Sequence, residues 1–285
     1  MKFRFKKNIL LLLSILSILA IASCSSDSNE PVVNELEGLN KFQEVTNTTH
    51  TIELYKRKGG LEQGFNEVAF RIKDNATGEY VKNATASWMP VMHMTSMTHS
   101  CPKSAIEKKS TEGTLYEGYL VFQMAQNATE YWDLKIDYTI KGVAYSVTFK
   151  IDVPASLKRR INSFKGTDGM RYIVAYVEPH QPKVAVNDVE VAIFKMQDMM
   201  TFPVVDNLKL KIDPRMPSMG NHSSPNNVDL TQAVAGKSYK GKLALTMTGY
   251  WKINLQLLNA NNEVLKGEAI TDAVPESSIY FEIEF

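Results

Sequence analysis

The sequence predicts an all-β chain of two tandem β-sandwiches of immunoglobulin-like type, and three observations carry that reading. Apolar and polar residues alternate in short runs rich in strand-forming types. Gly, Asn, Asp and Pro break those runs at short intervals. The second half of the chain repeats the first in register. With 285 residues there is length for two such domains, each able to bury its own core.

In chain order, residues 1–23 read as a lipoprotein signal peptide. Lys2, Arg4, Lys6 and Lys7 precede an apolar run from Ile9 to Ile21, and Ala22-Ser23 stand directly before Cys24. That ending resembles a bacterial lipobox, which implies cleavage before Cys24 and lipidation of its thiol. Residues 24–44 form the expected tether, because Ser25 to Asn34 is polar, acidic and too poor in apolar residues to build a core. The Ser-rich acidic start of this tether resembles the surface-export signal of Bacteroidetes lipoproteins. A bacterial envelope location follows as the expectation, at the outer membrane and on its surface. Only Glu35 to Glu44 admits a helical period.

Residues 45–154 are expected to hold the first sandwich. Thr51 to Tyr55, Glu67 to Ile72, Leu115 to Gln123, Trp132 to Thr139 and Ala144 to Ile151 read as strands, with turns at Gly59-Gly60, Asp74-Asn75, Gly113 and Lys141-Gly142. Residues 155–168, containing Lys158-Arg159-Arg160, read as a solvated linker. Residues 169–285 are expected to hold the second sandwich. Four Asn-x-Thr triplets, at Asn47, Asn75, Asn83 and Asn127, read as turn chemistry rather than glycosylation sites.

The repeat is legible in spacings. Tyr55 to Asn66 and Tyr176 to Asn187 are the same distance apart. His99 leads to Tyr116, Gly118 and Met124 at the offsets by which His222 leads to Tyr239, Gly241 and Met247. Trp132 and Trp251 then open matching runs and read as core tryptophans. Met89-Pro90-Val91-Met92 matches Met216-Pro217-Ser218-Met219, which leaves four extra residues before His99.

Most of the distinctive chemistry lies between Trp88 and Pro102, which holds four methionines, two histidines and Cys101. Thioether, thiolate and imidazole donors together favour copper, above all Cu(I), over hard cations. The expected donors are Met92, His93, Met97, His99, Cys101 and Met124 in the first half, and Met216, Met219, His222 and Met247 in the second. Pro90 is expected to take the segment out of the sheet, with a turn that brings Met89 and Met92 together. The competing reading is packing: Met124 and Met247 sit in apolar strands, Met89 and Met216 could back the loop, and thioethers fill irregular cores. Met196, Met199 and Met200 have no methionine counterpart in the first half and read as packing between sheets or domains. With Cys24 lipidated, Cys101 is the single remaining thiol and cannot form an intramolecular disulfide.

Met216-Pro217-Ser218-Met219, His222 and Gly249-Tyr250-Trp251 resemble the YtkA-like domain family, related to the FixH-like proteins. The first half resembles it through Met89-Pro90-Val91-Met92, His99, Met124 and Trp132, and departs from it in its four-residue insertion and in Cys101. The second half has Asn221 where a histidine is expected. The resemblance implies small envelope-facing β-sandwiches, often lipid- or membrane-anchored, in copper handling or copper-oxidase assembly.

A formal charge of +1 gives no basic stripe for nucleic acid. No phosphate loop, zinc-protease helix or nucleophile elbow is present in the sequence, so no enzyme is expected. The sequence therefore points to a lipid-anchored copper protein for trafficking or sequestration. The alternative is a non-metal interaction or accessory module of an outer-membrane or oxidase-assembly complex, with a protein partner in the envelope.

Overall fold

Strand formation follows the alternation. In the run from Trp88 to Met92, positions 88, 90 and 92 are buried while the positions between them are not, the period of a strand with one face on a core. The computed structural model describes residues 34–285. The expected signal peptide, Cys24 and most of the tether lie outside the described residues. Among the described residues nineteen strands follow one another, with one short 3-10 turn at Pro217–Met219. Among the described residues no helix is long and apolar enough to cross a membrane.

The first nine strands are β1 Asn40–Thr46, β2 His50–Lys56, β3 Gly64–Asp74, β4 Ala84–His93, β5 Thr98–His99, β6 Glu107–Lys108, β7 Tyr116–Phe122, β8 Tyr131–Ile140 and β9 Val143–Ile151. They form two antiparallel sheets, β1-β2-β3-β7-β6 and β5-β4-β8-β9. Leu54, Phe70, Phe122, Trp132 and Ile136 fill the space between them. The strand order is that of an immunoglobulin-like sandwich, with β2, β3, β7 and β6 in the places of A, B, E and D, facing β4, β8 and β9 as C, F and G.

The second half adds β10 Ile161–Lys165, β11 Arg171–Glu178, β12 Val186–Lys195, β13 Lys209–Met216, β14 His222–Ser223, β15 Val228–Thr231, β16 Tyr239–Ala244, β17 Tyr250–Leu258, β18 Val264–Lys266 and β19 Tyr280–Glu284. The same order recurs: β11-β12-β16-β15 on one side and β13-β17-β19 on the other. Here β15 also pairs with β13, so the two layers join into one continuous sheet. Trp251, Ile253, Leu255 and Phe281 lie in its core.

The repeat extends to individual hydrogen bonds. Asn66 closes its loop by donating to Glu62 O and Gly64 O, as Asn187 donates to Lys183 O and Ala185 O. The Tyr116 hydroxyl donates to Lys82 O and the Tyr239 hydroxyl to Val205 O. Trp132 and Trp251 are fully buried, and each indole N–H donates to a methionine carbonyl, Met124 O at 3.1 Å and Met247 O at 3.0 Å. An unpaired indole N–H in a core would cost more than the bond returns, so the methionine carbonyl at this point is part of both folds.

Two boundaries differ from expectation. Residues 161–165, inside the stretch read as a linker, form β10 and pair with β11, because Ile161 and Phe164 have an apolar face to bury. Residues 40–44, read as the end of the tether, belong to β1, which adds to the edge of the first sheet. A turn and this strand take the place of the helical period admitted at 35–44. The Asn-x-Thr reading holds at two sites: Asn47 Oδ1 accepts from Thr49 N and His50 N, and Asn127 Oδ1 from Thr129 N and Glu130 N.

The two sandwiches share an apolar interface. Tyr119 and Val121 on β7 and Phe65 on β3 meet Ile173 and Ala175 on β11 and Phe194 on β12. The Tyr119 and Phe194 ring centroids are 6.2 Å apart. Met196 packs against the same cluster, as the reading of that methionine group expected, whereas Met199 and Met200 are 43% and 40% exposed.

On the outer face of the first sheet Glu53 is nearly buried and accepts from Tyr55 Oη at 2.6 Å and Tyr80 Oη at 3.0 Å, with Lys41 Nζ at 3.5 Å. Burial pushes its carboxyl up, but the two tyrosine hydrogen bonds and the Lys41 charge outweigh this and hold it below the usual range. A depressed carboxylate contributes stability above its unfolded pKa and loses it as pH falls through its folded value. Thermal melting between pH 3 and pH 7 is expected to show Glu53→Gln destabilising the protein near neutrality and narrowing its gap to wild type below about pH 4.

Candidate metal centre

Antiparallel register decides which donors can meet. On β4, Met92 stands opposite Trp132 on β8 and opposite His99 on β5. Residues directly opposed across a ladder project to one face, with Cβ atoms about 5 Å apart. Met92, His99 and Trp132 therefore share the inward face at one end of the first sandwich. In the second, Met216 stands opposite His222. Arg215 pairs with Lys252, so Met216 is the next residue along toward Trp251.

This register corrects the alignment read from the sequence. Pro90 pairs with Leu134 two positions from the Trp132 pair, and Pro214 pairs with Ile253 two positions beyond Trp251. The structural equivalents are thus Pro90-Val91-Met92 and Pro214-Arg215-Met216, three residues away from the Met-Pro-x-Met match. The loops before His99 and His222 then differ by a single residue. Nor does Pro90 end the strand: β4 continues to His93, and its other edge is unpaired until Met92, so a missing N–H is tolerated there. Met89 and Met92 are not brought together by a turn. Met89 is 37% exposed on the outer face and Met92 is fully buried on the inner one.

The expected first-half donor set therefore divides. His93 points outward, stacks on Tyr131 at 4.8 Å and pairs with Asp133 Oδ2 at 3.0 Å. Met97 is exposed in the β4–β5 turn. Cys101 is fully buried in the core cluster, and burial pushes its thiol well up, against the thiolate that a metal takes. Its equivalent in the second half is Ser224, two residues after His222, also buried, whose Oγ has no hydrogen-bond partner. A thiol tolerates such a site as a small hydrophobe, whereas a hydroxyl there is unsatisfied. Of the second-half donors, Met219 is exposed on the 3-10 turn, His222 is exposed, Met216 is buried and Met247 is partly buried against the core.

One Met–His pair per sandwich is placed across a ladder, Met92 with His99 and Met216 with His222, while Met124 and Met247 lie beyond the ends of β7 and β16 rather than in strands and reach the Trp132 and Trp251 indoles through their backbone carbonyls. The His99 ring meets the Trp132 ring edge-on at 5.5 Å. Its Nδ1 lies 2.8 Å from Ser100 O, which can only accept, and 3.1 Å from Gln123 Nε2, which can only donate; the carbonyl contact is the shorter and Gln123 Nε2 has that same carbonyl as its acceptor, so the arrangement favours the proton on Nδ1. Nε2 is left with its lone pair and no hydrogen bond among the described residues. This is the arrangement in which a backbone carbonyl fixes the tautomer of a metal-binding histidine. Gln123 Nε2 donates to the same carbonyl at 3.0 Å, while Gln123 Oε1 is buried without a partner. Sequence reasoning missed Ser100 and Gln123, since their roles come from contacts across the strands. Among the described residues no group of three His, Cys, Asp or Glu side chains could hold a metal ion, so any site here depends on thioethers.

A cleft of about 670 Å³ opens between the sandwiches, lined by Phe65, Tyr119, Phe194, Glu67 and Glu190 among others, and none of the donors lines it.

Two denaturation measurements test Cys101 and Ser224 as a pair of core positions. Cys101→Ser is expected to lose about 1–3 kcal/mol by burying a more polar hydroxyl where the thiol meets the Val121 backbone N–H. Ser224→Ala is expected to leave stability unchanged or raise it, and a large loss there would show that Oγ is satisfied after all.

No protein-family model matches the chain, and no curated protein matches it. Among solved structures the chain is similar to FdeC, an Escherichia coli adhesin, at 12% identity over 81% of each chain with a TM-score of 0.23, a likeness too distant to carry an argument about function.

Proposed function

We propose that the protein binds soft metal ions, Cu(I) above all, at one Met-His-Met set per sandwich, and that it holds or passes on copper in the bacterial envelope. Met92, His99 and Met124 form the first set, and Met216, His222 and Met247 the second. The observation that carries this is the Met–His pair repeated across the ladder in both halves, each beside a buried tryptophan whose indole is tied to the third residue's carbonyl. Packing alone explains a buried methionine. It does not explain a histidine opposite that methionine twice, once with its Nδ1 proton committed to a carbonyl. Thioethers and a neutral imidazole suit Cu(I), and Cu(II) and Zn(II) compete at the imidazoles.

The reading includes lipidation at Cys24, which would hold both sandwiches at a membrane through the tether. His93, Met97, Cys101 and Met219 are left out of the two sets. The non-metal interaction module remains the second reading, favoured by the exposure of Met89, Met97, Met199, Met200 and Met219 at 37–56%, since adaptable thioethers also suit protein contacts.

Titrating the protein with Cu(I) against a chromophoric chelator is expected to give two ions per chain. His99→Ala and His222→Ala are each expected to remove one, and Cys101→Ala none. A protein that takes no Cu(I) from the chelator, or keeps both ions in the double histidine variant, overturns the assignment.

A further inference from the structure

The hairpin that follows β12 runs out from Phe194 and returns at Val204, closed by Lys195 N donating to Pro203 O and Gln197 N to Thr201 O. Its counterpart in the first sandwich closes between Lys73 and Tyr80 and is three residues shorter. The added length reaches the other sandwich: Ser100 N donates to Met199 O at 2.8 Å. Ser100 is the residue after His99, and all its polar groups are engaged. Its carbonyl accepts from His99 Nδ1 at 2.8 Å and from Gln123 Nε2 at 3.0 Å, and its hydroxyl donates to Met89 Sδ at 3.5 Å. It is fully buried.

The Ser100 peptide therefore links the second sandwich to the imidazole of the first. One side of the residue is held by Met199, and the carbonyl on the other side fixes the proton of His99. The second set has no such partner: the His222 ring is exposed and makes no hydrogen bond among the described residues.

We infer that the Met196–Phe202 hairpin of the second sandwich is a positioning element for the first donor set, fixing His99 with Nε2 unprotonated and available to a metal. This rests on the copper reading for its consequence, though not for its geometry. The two sets are then unequal. The first is preorganised through the partner sandwich and holds its ion more tightly, and the second exchanges more freely. The hairpin is itself well anchored. Met196, Phe202 and Val204 belong to the apolar interface, and Asp198 Oδ1 caps the tip by accepting from Met200 N at 2.7 Å.

The test replaces Asp198, Met199 and Met200 with the two-residue turn Asn-Gly, which closes the hairpin without its tip. It is made in the full chain carrying His222→Ala, so that only the first set is read. Cu(I) affinity there is expected to fall about tenfold or more, the loss typical when the group orienting a ligand is removed. The second set, read in a His99→Ala background with the same turn, is expected to keep its affinity although it lies in the altered sandwich. In the metal-free protein, nitrogen NMR of His99 is expected to show the Nδ1–H form in wild type and its loss in the turn variant. Asp198→Ala is expected to follow the turn variant, and Asp198→Asn, which keeps the accepting oxygen, to follow wild type. A turn variant in which His99 keeps its Nδ1–H form overturns the inference. Should the wild type take no Cu(I), the copper reading falls, while the tautomer measurement still decides whether the hairpin positions His99.

Discussion

The candidate site depends on one register. Trp132 faces Met92 across β4 and β8, and Met92 faces His99 across β4 and β5, so three large side chains are committed to the same face at the end of the sandwich. Side chains alternate along a strand, and a one-residue slip of β4 would turn Met92 outward and bring His93 and Met89 in. The tryptophan pins the register from below, being fully buried with its indole N–H tied to Met124 O. Moving it would open a large cavity and leave a buried donor unpaired. The second sandwich repeats the constraint with Trp251 and Met247 O.

The two copies have diverged where such a scaffold tolerates change. The buried small position after the histidine is a thiol in one and a hydroxyl in the other, Cys101 and Ser224. The first histidine is enclosed and hydrogen-bonded, while the second stands on a short strand beside a 3-10 turn. The hairpin after β12 has lengthened relative to the one after β3. The β3–β7 and β4–β8 ladders recur in β12–β16 and β13–β17, whereas the β11–β12 ladder carries a bulge between Tyr176 and Glu178 that the β2–β3 ladder lacks.

The apolar contact between the sandwiches makes the halves more than beads on a string. Phe65, Tyr119 and Val121 lie on the outer face of the first sandwich, and Ile173, Ala175 and Phe194 on that of the second. Neither face would suit solvent alone. From Leu36 onward the chain forms one compact unit, and the strand β10, within the stretch that reads as a linker, contributes Ile161 to this contact. This apolar contact brings a backbone carbonyl of one sandwich within hydrogen-bond reach of a peptide of the other.

The sequence by itself determined the fold class, the duplication, the core tryptophans and the stretch where soft donors gather. Each of these depends on local pattern: alternation of period two, turn residues, and equal spacings from His99 and His222. It could not determine which donors share a face. Met89, Met92, His93, Met97, His99 and Cys101 are equally dense in the sequence, yet only the ladder partners of β4 sort Met92 and His99 inward, His93 and Met89 outward, and Cys101 into the core. The false match of Met89-Pro90-Val91-Met92 with Met216-Pro217-Ser218-Met219 has the same cause: similarity of letters does not specify register, and pairing with Trp132 and Trp251 does. The contact of Met199 with Ser100 joins residues 99 positions apart through an interface, and tertiary structure alone decided it, because a backbone carbonyl used at such range leaves no mark on the identity of its own side chain.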